Sequence, residues 1–190
     1  MIRISLLALI LGGCCAPIAW AQPQKASKPL AGYTAIQVEP FTVENSQLTK
    51  DFPAGEEANL QLSAVVRLRE SRLFEIVIDG SQTPSEPKPS SEPSAKDEPR
   101  KVILSVTIIA FSKGSSGARF MTWPLPVGVS KAKASFAFRD AASNQDVFHF
   151  EKEAKFQATV SGGVATKEEQ MSHLKGGLVD ALIKEIQRNR

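Results

Sequence analysis

Few side chains in this sequence have the chemical types and spacing that catalysis needs. Glu151 and Glu153 are two residues apart, which places both carboxyl groups on one face of a strand. Such a pair can act as general acid and general base in a carboxylate-dependent hydrolase. Because Lys152 and Lys155 lie beside them in the sequence, the pattern favours a solvated surface of ion pairs instead.

The two histidines and two cysteines suggest neither a nucleophile nor a metal centre. No HExxH, GxSxG, P-loop or strand-following GxGxxG motif is present, and we expect His149 and His173 to be exposed on polar faces. Cys14 and Cys15 are the only thiols, whereas a structural zinc needs about four ligands. We therefore expect no catalytic residue, no metal and no cofactor, which is the pattern of a protein that is not an enzyme.

Two features could bind an anion. Lys131 and Lys133, with Arg139 further along the same strand, form a basic stripe that could bind a small ligand or an anionic envelope polymer. Residues 114–119 (GSSGAR) could hold an anion through backbone amides, although a hairpin turn explains them as well. The stripe lacks exposed aromatic residues, because Phe136 and Phe138 are predicted on the other face of the strand, which argues against nucleic acid.

One apolar stretch could contact a partner. Residues 120–129 (FMTWPLPVGV) are interrupted by prolines and lie between predicted strands. The interaction candidates are Phe120, Met121, Trp123 and Leu125, since such side chains concentrate in interface cores. The stretch binds a protein partner or a second copy of the chain, or else it folds back over the edge of the core.

Length and charge limit the class of protein. The chain has 190 residues, 42% of them hydrophobic, with 23 basic and 20 acidic side chains. These values fit one domain with a real core and exclude wholesale disorder. A net charge of +3 lacks the strong single-sign field of a dedicated nucleic-acid binder.

Residues 1–21 have the pattern of a signal peptide. A single arginine precedes the apolar run ISLLALIL, and Ala19 and Ala21 fit the small-x-small cleavage rule. Cleavage there makes Gln22 the mature N-terminus and the protein periplasmic or secreted. Alternatively, residues 11–14 (LGGC) resemble a lipobox, in which Cys14 carries the lipid and anchors a membrane lipoprotein. No other part of the chain has the roughly 20 apolar residues of a membrane helix, so lipidation is its only predicted membrane contact.

We predict a tether at residues 22–32 and a single domain at residues 33–190. Within that domain, residues 81–100 contain five prolines, five serines and seven charges. Such a composition buries too little apolar surface to fold, so we predict a disordered insertion that is dispensable for folding.

Periodicity predicts the elements of the domain. Strands are expected at residues 34–41, 73–79 and 101–111, followed by a hairpin of residues 131–139 and 147–158. A helix starts after Asp51 as N-cap, with an apolar stripe of Ala58, Leu62, Val65 and Val66 that is widened by Leu60, Ala64 and Leu68. A second helix is predicted from a capping box, Thr166 and Glu169, and a stripe from Met171 to Ile186. Gly176 and Gly177 either precede its true start or allow close approach to the sheet.

This order of elements predicts an α+β (mixed α/β) fold. It consists of one small sheet of about five strands with two helices packed on one face.

Four blocks of the sequence resemble an uncharacterised bacterial envelope family, domain of unknown function 4410. They are residues 33–41 with 51–53, residues 69–77, residues 131–141 and the final helix. The resemblance implies an exported protein or lipoprotein with a small α/β domain, similar in outline to accessory lipoproteins of envelope assembly systems, and no catalytic residues. The chain departs from the family at two segments. One is the Pro/Ser-rich insertion at residues 81–100, and the other is residues 123–126 (WPLP), a position at which members are often glycine-rich.

Together these features predict a non-catalytic accessory or assembly protein of the bacterial cell envelope. It acts by binding an unidentified envelope protein, and self-association is an alternative.

Overall fold

A computed structural model describes residues 28–81, 99–113, 129–156 and 166–190 of the chain. In this part six strands and two helices follow one another along the sequence. They are β1 (Ala35–Val38), β2 (Thr42–Val43), α1 (Glu56–Ser71), β3 (Ile76–Asp79), β4 (Lys101–Ser112), β5 (Ser130–Asp140), β6 (Asp146–Phe156) and α2 (Lys167–Asn189).

The strands form one mixed sheet in the order β3-β1-β4-β5-β6. β1 lies between β3 and β4 and runs parallel to both, whereas β4, β5 and β6 pair antiparallel. β2 continues the line of β1 along β4, and Pro40 lies in the break between them because proline cannot donate to a ladder. The predicted α+β fold is confirmed, with a sixth, two-residue strand that periodicity did not indicate.

Both helices cover the same face of this sheet. The face is formed by alternate strand residues that are buried, among them Ala132, Ala134, Phe136 and Phe138 of β5. From α1, Gln61 Nε2 donates to Asp79 Oδ1 on this face, at 2.7 Å. From α2, Gly177 approaches Ala154 on β6. The opposite side of the sheet, called the open face below, carries the intervening residues.

The second helix forms as its local signals predict. The hydroxyl of Thr166 accepts from the amide of Glu169 at 3.2 Å, and the carboxylate of Glu169 accepts from the amide of Thr166 at 2.9 Å. The helix continues through both glycines. A Cβ on Gly177 would lie 3.2 Å from that of Ala154, whereas one on Gly176 would meet nothing within 4 Å. Gly177 is therefore the glycine that permits close approach to the sheet.

The first helix differs from its prediction in two ways. Its N-cap is Gly55, with a φ of 84°, and not Asp51, since residues 46–53 form a series of turns before it. Its buried stripe consists of Leu60, Gln61, Ala64, Val65 and Leu68. Ala58, Leu62 and Val66, which are part of the predicted stripe, are exposed.

The packed chain reaches back into the predicted tether. Leu30 is fully buried, and its amide donates to the carbonyl of Asn189 at the end of α2. Arg190 follows, with its guanidinium 4.8 Å from the ring centroid of Phe74. Residues 28–32 thus belong to the folded unit.

Several predictions concern residues outside the described part of the chain. They are the signal peptide with Cys14, residues 82–98 of the insertion and residues 114–119. Within the described ranges, neither helix combines the length and hydropathy of a membrane span.

Candidate functional site

The charged residues of the open face form pairs. Lys133 Nζ lies 2.5 Å from Glu151 Oε2, and Arg139 Nη2 lies 3.0 Å from Glu39 Oε2. The predicted basic stripe is therefore interrupted, since two of its three cations face a carboxylate. Lys152, predicted to pair with the glutamates, is opposite Ala134 and so belongs to the helix-covered side.

Glu151 and Glu153 lie on the open face, but their environment opposes acid–base catalysis. A hydrogen bond from Lys133, reinforced by its charge, lowers the pKa of Glu151. Lys155, 3.1 Å away, lowers the pKa of Glu153 by hydrogen bonding, and the charges of Lys131 and Lys133 add to this. A general acid that works near neutral pH needs a raised pKa, so these carboxylates fit an ion-paired surface.

The histidines are exposed, as predicted. Nε2 of His149 lies 2.9 Å from the hydroxyl of Ser135 across the β5–β6 pair. For Ser135 to act as a nucleophile with His149 as its base, a third group would have to orient the imidazole. The neighbouring carboxylate, that of Glu151, is bonded to Lys133 instead. The ring of His173 stacks on that of Phe156 with centroids 5.0 Å apart.

Neither a metal centre nor the predicted interaction patch can be located among the described residues. In that part of the chain no three His, Cys, Asp or Glu residues come together to hold an ion. The interaction candidates Phe120, Met121, Trp123 and Leu125 lie outside the described residues, so their role stays a prediction.

The structure instead reveals an apolar surface at the β3 edge. Four exposed apolar side chains flank the free edge of β3, and we call them the β3-edge surface. Leu62 and Val66 of α1, 58% and 42% exposed, lie on the helix-covered side of this edge. Ile76 and Ile78, 43% and 40% exposed, project from the open face, because they alternate with Val77 and Asp79 along the strand. Single exposed apolar residues are normal on protein surfaces, whereas several together mark interaction sites.

A hydrogen bond shows that the two elements share this side of the molecule. Nη2 of Arg69, on the same flank of α1 as Leu62 and Val66, donates to the carbonyl of Val77 at 3.5 Å. The amides of Ile76 and Gly80 donate to β1. The main-chain groups of Val77 therefore point away from the sheet, because they alternate along a strand. The flank of α1 and the free side of β3 thus adjoin.

Sequence reasoning missed this surface because apolar residues suggest burial. Residues 76–78 (IVI) are typical of a core strand, and the exposed residues of α1 also recur at helical spacing. The spacing of Leu60, Ala64 and Leu68, four residues apart, was the signal for the true buried stripe.

Comparison with known proteins identifies the fold alone. No family model matches the chain, and no curated protein matches its sequence. The resemblance to domain of unknown function 4410 therefore stays a prediction.

Several solved structures are similar to the chain at low sequence identity. A Xanthomonas campestris protein from domain of unknown function family 330 is 9% identical, with a TM-score of 0.50 over 86% of this chain and 87% of that one. A lipoprotein from Neisseria meningitidis is 13% identical, with a TM-score of 0.43 over 82% and 99%. The PelC dodecamer of Paraburkholderia phytofirmans is 13% identical, with a TM-score of 0.43 over 81% and 89%. The first of these comparisons shows that the chain shares its fold with an uncharacterised bacterial protein.

Proposed function

We propose that this chain is an exported accessory protein of the bacterial cell envelope that acts by binding another envelope protein. The observation that carries the proposal is the β3-edge surface. Ile76 and Ile78 expose 43% and 40% of their surface on the open face of this edge, and Leu62 and Val66 of α1 are comparably exposed on its other side. Covering such side chains with a partner stabilises the complex by about 25 cal/mol per Å² of apolar surface removed from water.

The main chain of β3 supports the same surface. The outward groups of Val77 offer a donor and an acceptor to an added strand, and the one described contact to its carbonyl is the long hydrogen bond from Arg69. An extended segment of a partner can pair with such an edge while its side chains contact the neighbouring apolar residues. Arg69 has to move aside for this pairing.

Site-specific photo-crosslinking tests the proposal. A photoreactive residue at Leu62 or Ile78 should crosslink to one envelope protein in cells that naturally make the chain. The matched control is Leu48, which is 65% exposed but lies outside the β3-edge surface. Ile76→Thr/Ile78→Thr should weaken the crosslink from Leu62, because alternate side chains of an added strand contact both sides of this edge. The melting temperature should stay within a few degrees, since both positions are exposed. Equal crosslinking from Leu48, or a product of twice the chain mass, would contradict a distinct partner at this edge.

Export is tested separately by the mass of the mature protein. We expect an N-terminus at Gln22 and recovery in the soluble periplasmic fraction. A lipid-modified Cys14 together with recovery in the membrane fraction would contradict a soluble periplasmic protein and identify an anchored lipoprotein.

A further inference from the structure

A cleft opens on the open face where β4 ends. It has a volume of about 350 Å³, and its lining includes Leu48, Lys50, Ser112, Lys113 and Lys131. The volume is within the range of sites that hold small molecules. The cleft is separate from the β3-edge surface, and the ion pair of Arg139 with Glu39 does not line it.

A bulge in β4 shapes the floor of this cleft. The register with β5 shifts between Ile108 and Ala110, which inserts an extra residue into β4. As a result, Ala110 lies opposite Lys133 and Ser112 opposite Lys131, so these small side chains project from the open face beside the two lysines. The bulge thus leaves room between cationic groups.

The wall of the cleft is held in place by main-chain bonds. The amide of Phe111 donates to the carbonyl of Leu48 at 2.7 Å. Thr49, next to Leu48, is buried, and its hydroxyl lies within hydrogen-bond distance of the carbonyls of Glu44 and Ser46. A wall ordered before a ligand arrives reduces the entropy that binding must overcome.

Positive charge exceeds negative charge in the cleft. Four lysines (50, 113, 131 and 133) and two acidic residues (Asp51 and Glu153) line it, but Lys133 is paired with Glu151 and Glu153 with Lys155. Lys50, Lys113 and Lys131 form no salt bridge within the described ranges. Lys131 acts on Glu153 through its charge alone, since Glu153 is bonded to Lys155.

We propose that this lysine cleft, defined by Lys50, Lys113 and Lys131, binds a phosphate group, either free in a small molecule or in a lipid headgroup. Lysine is a common ligand of phosphate as a flexible point charge. Three unpaired ammonium groups around a floor of small side chains provide the charge and the space. Leu48, exposed at the wall of the cleft, offers an apolar contact for the rest of an amphiphilic ligand.

Titration with pyrophosphate, followed by calorimetry and by amide chemical shifts, tests the site in the full mature protein. We expect saturable binding with shift changes centred on Leu48, Phe111 and Ser112. Lys113→Gln/Lys131→Gln should weaken binding by about ten-fold, which corresponds to about 1.4 kcal/mol for the two lost charges together. Glu153→Gln should strengthen binding, because it removes a carboxylate from the lining.

The matched control is Lys28→Gln/Lys184→Gln. It removes the same two charges from exposed positions that do not line the cleft, so we expect less than about a two-fold change. Equal weakening by both double variants, or shift changes spread over all lysines, would overturn the proposal in favour of non-specific attraction to a basic protein.

Vesicles distinguish the two sources of phosphate. If the ligand is a lipid headgroup, the protein should bind phosphatidylglycerol vesicles and not phosphatidylcholine vesicles, and Leu48→Ala should weaken vesicle binding while leaving pyrophosphate binding unchanged. Pyrophosphate binding without vesicle binding would assign the site to a soluble phosphate compound. Absence of binding to both probes would overturn the site.

Discussion

The hydroxyl of Tyr33 donates a hydrogen bond of 2.7 Å to Oδ2 of Asp140, joining residues 107 positions apart. The other oxygen of Asp140 accepts from the amides of Ala142 and Ser143 at 2.9 and 2.8 Å. The guanidinium of Arg100 lies 4.6 Å from the centroid of the Tyr33 ring. One carboxylate therefore closes the β5–β6 turn and fixes it to the segment before β1.

The acid stability of the protein should depend on Asp140. The hydrogen bond from the amide of Ser143, followed by that from Tyr33, lowers the pKa of Asp140 well below its usual value. A lowered folded-state pKa gives stability that is complete above the unfolded carboxyl's pKa of about 3.9 and is lost as the pH falls below it. Asp140→Asn should lower the melting temperature at pH 7 and flatten its decline between about pH 5 and pH 2. Asp146→Asn, exposed in the same hairpin, should leave the profile unchanged.

Tyr33 should ionise at unusually high pH. Burial, and then the hydrogen bond and charge of Asp140, raise the pKa of its phenol. The stability that Tyr33 contributes is complete below its ordinary pKa of about 10 and is lost as the pH rises through the folded value. Because Tyr33 is the single tyrosine of the chain, phenolate absorbance reports it directly. Asp140→Asn should shift this titration to lower pH, and an unchanged curve would contradict the hydrogen bond.

Gln61 should be more important for folding than its polarity suggests. Its side chain is buried, accepts from the amide of Phe41 at 3.4 Å and donates to Asp79. Gln61→Leu leaves the main-chain amide of Phe41 without its described acceptor. We expect the free energy of unfolding to fall by about 1–3 kcal/mol. Chemical denaturation measures this change, with Gln187→Leu on the exposed side of α2 as control. Equal effects would show that the buried hydrogen bonds of Gln61 do not stabilise the fold.

The two adjacent glycines of α2 should respond differently to alanine. Gly176→Ala should stabilise the protein by about 0.5–1 kcal/mol, because alanine favours helix and the position is open. Gly177→Ala gains the same propensity but presses its Cβ against Ala154 at 3.2 Å. We therefore expect it to be neutral or destabilising in thermal denaturation. Stabilisation by both substitutions would mean that α2 can move away from the sheet.

The connection between β3 and β4 should have a minimum length. Asp79 lies beside Val38 and Lys101 beside Ala35, on opposite sides of β1, which separates the two ends by about 14 Å across an intervening strand. If Ser81 is joined directly to Pro99, four residues remain between Asp79 and Lys101, and they span about 17 Å at full extension. This is too short for the connection to pass around β1, so we expect that this variant does not fold. A twelve-residue Gly-Ser linker in place of residues 82–98 should keep the melting temperature within a few degrees, because loop entropy changes slowly with length. A large decrease would show that these residues stabilise the domain.

Local signals in the sequence determined much of the secondary structure. Alternation along β5, the capping box of Thr166 and Glu169, and the apolar stripe of α2 predicted elements that the structure contains, because each depends on residues within a few positions of one another. These elements, with one apolar face each, also determined that two helices cover one side of a sheet.

Tertiary structure alone decided which of these faces meet. The position of β1 between β3 and β4 depends on pairing between distant segments, for which a single strand carries no local signal. On α1 the spacing of the leucines indicated the buried side, but the burial of Gln61 depends on its hydrogen bonds to Asp79 and Phe41, which are distant in sequence. Likewise, Lys133 forms an ion pair and Lys131 does not, because Glu151 of β6 reaches Lys133 whereas Glu153, near both lysines, is bonded to Lys155. The candidate surfaces depend on these long-range choices, since a side chain's exposure and charge partners are set by elements far from it in sequence.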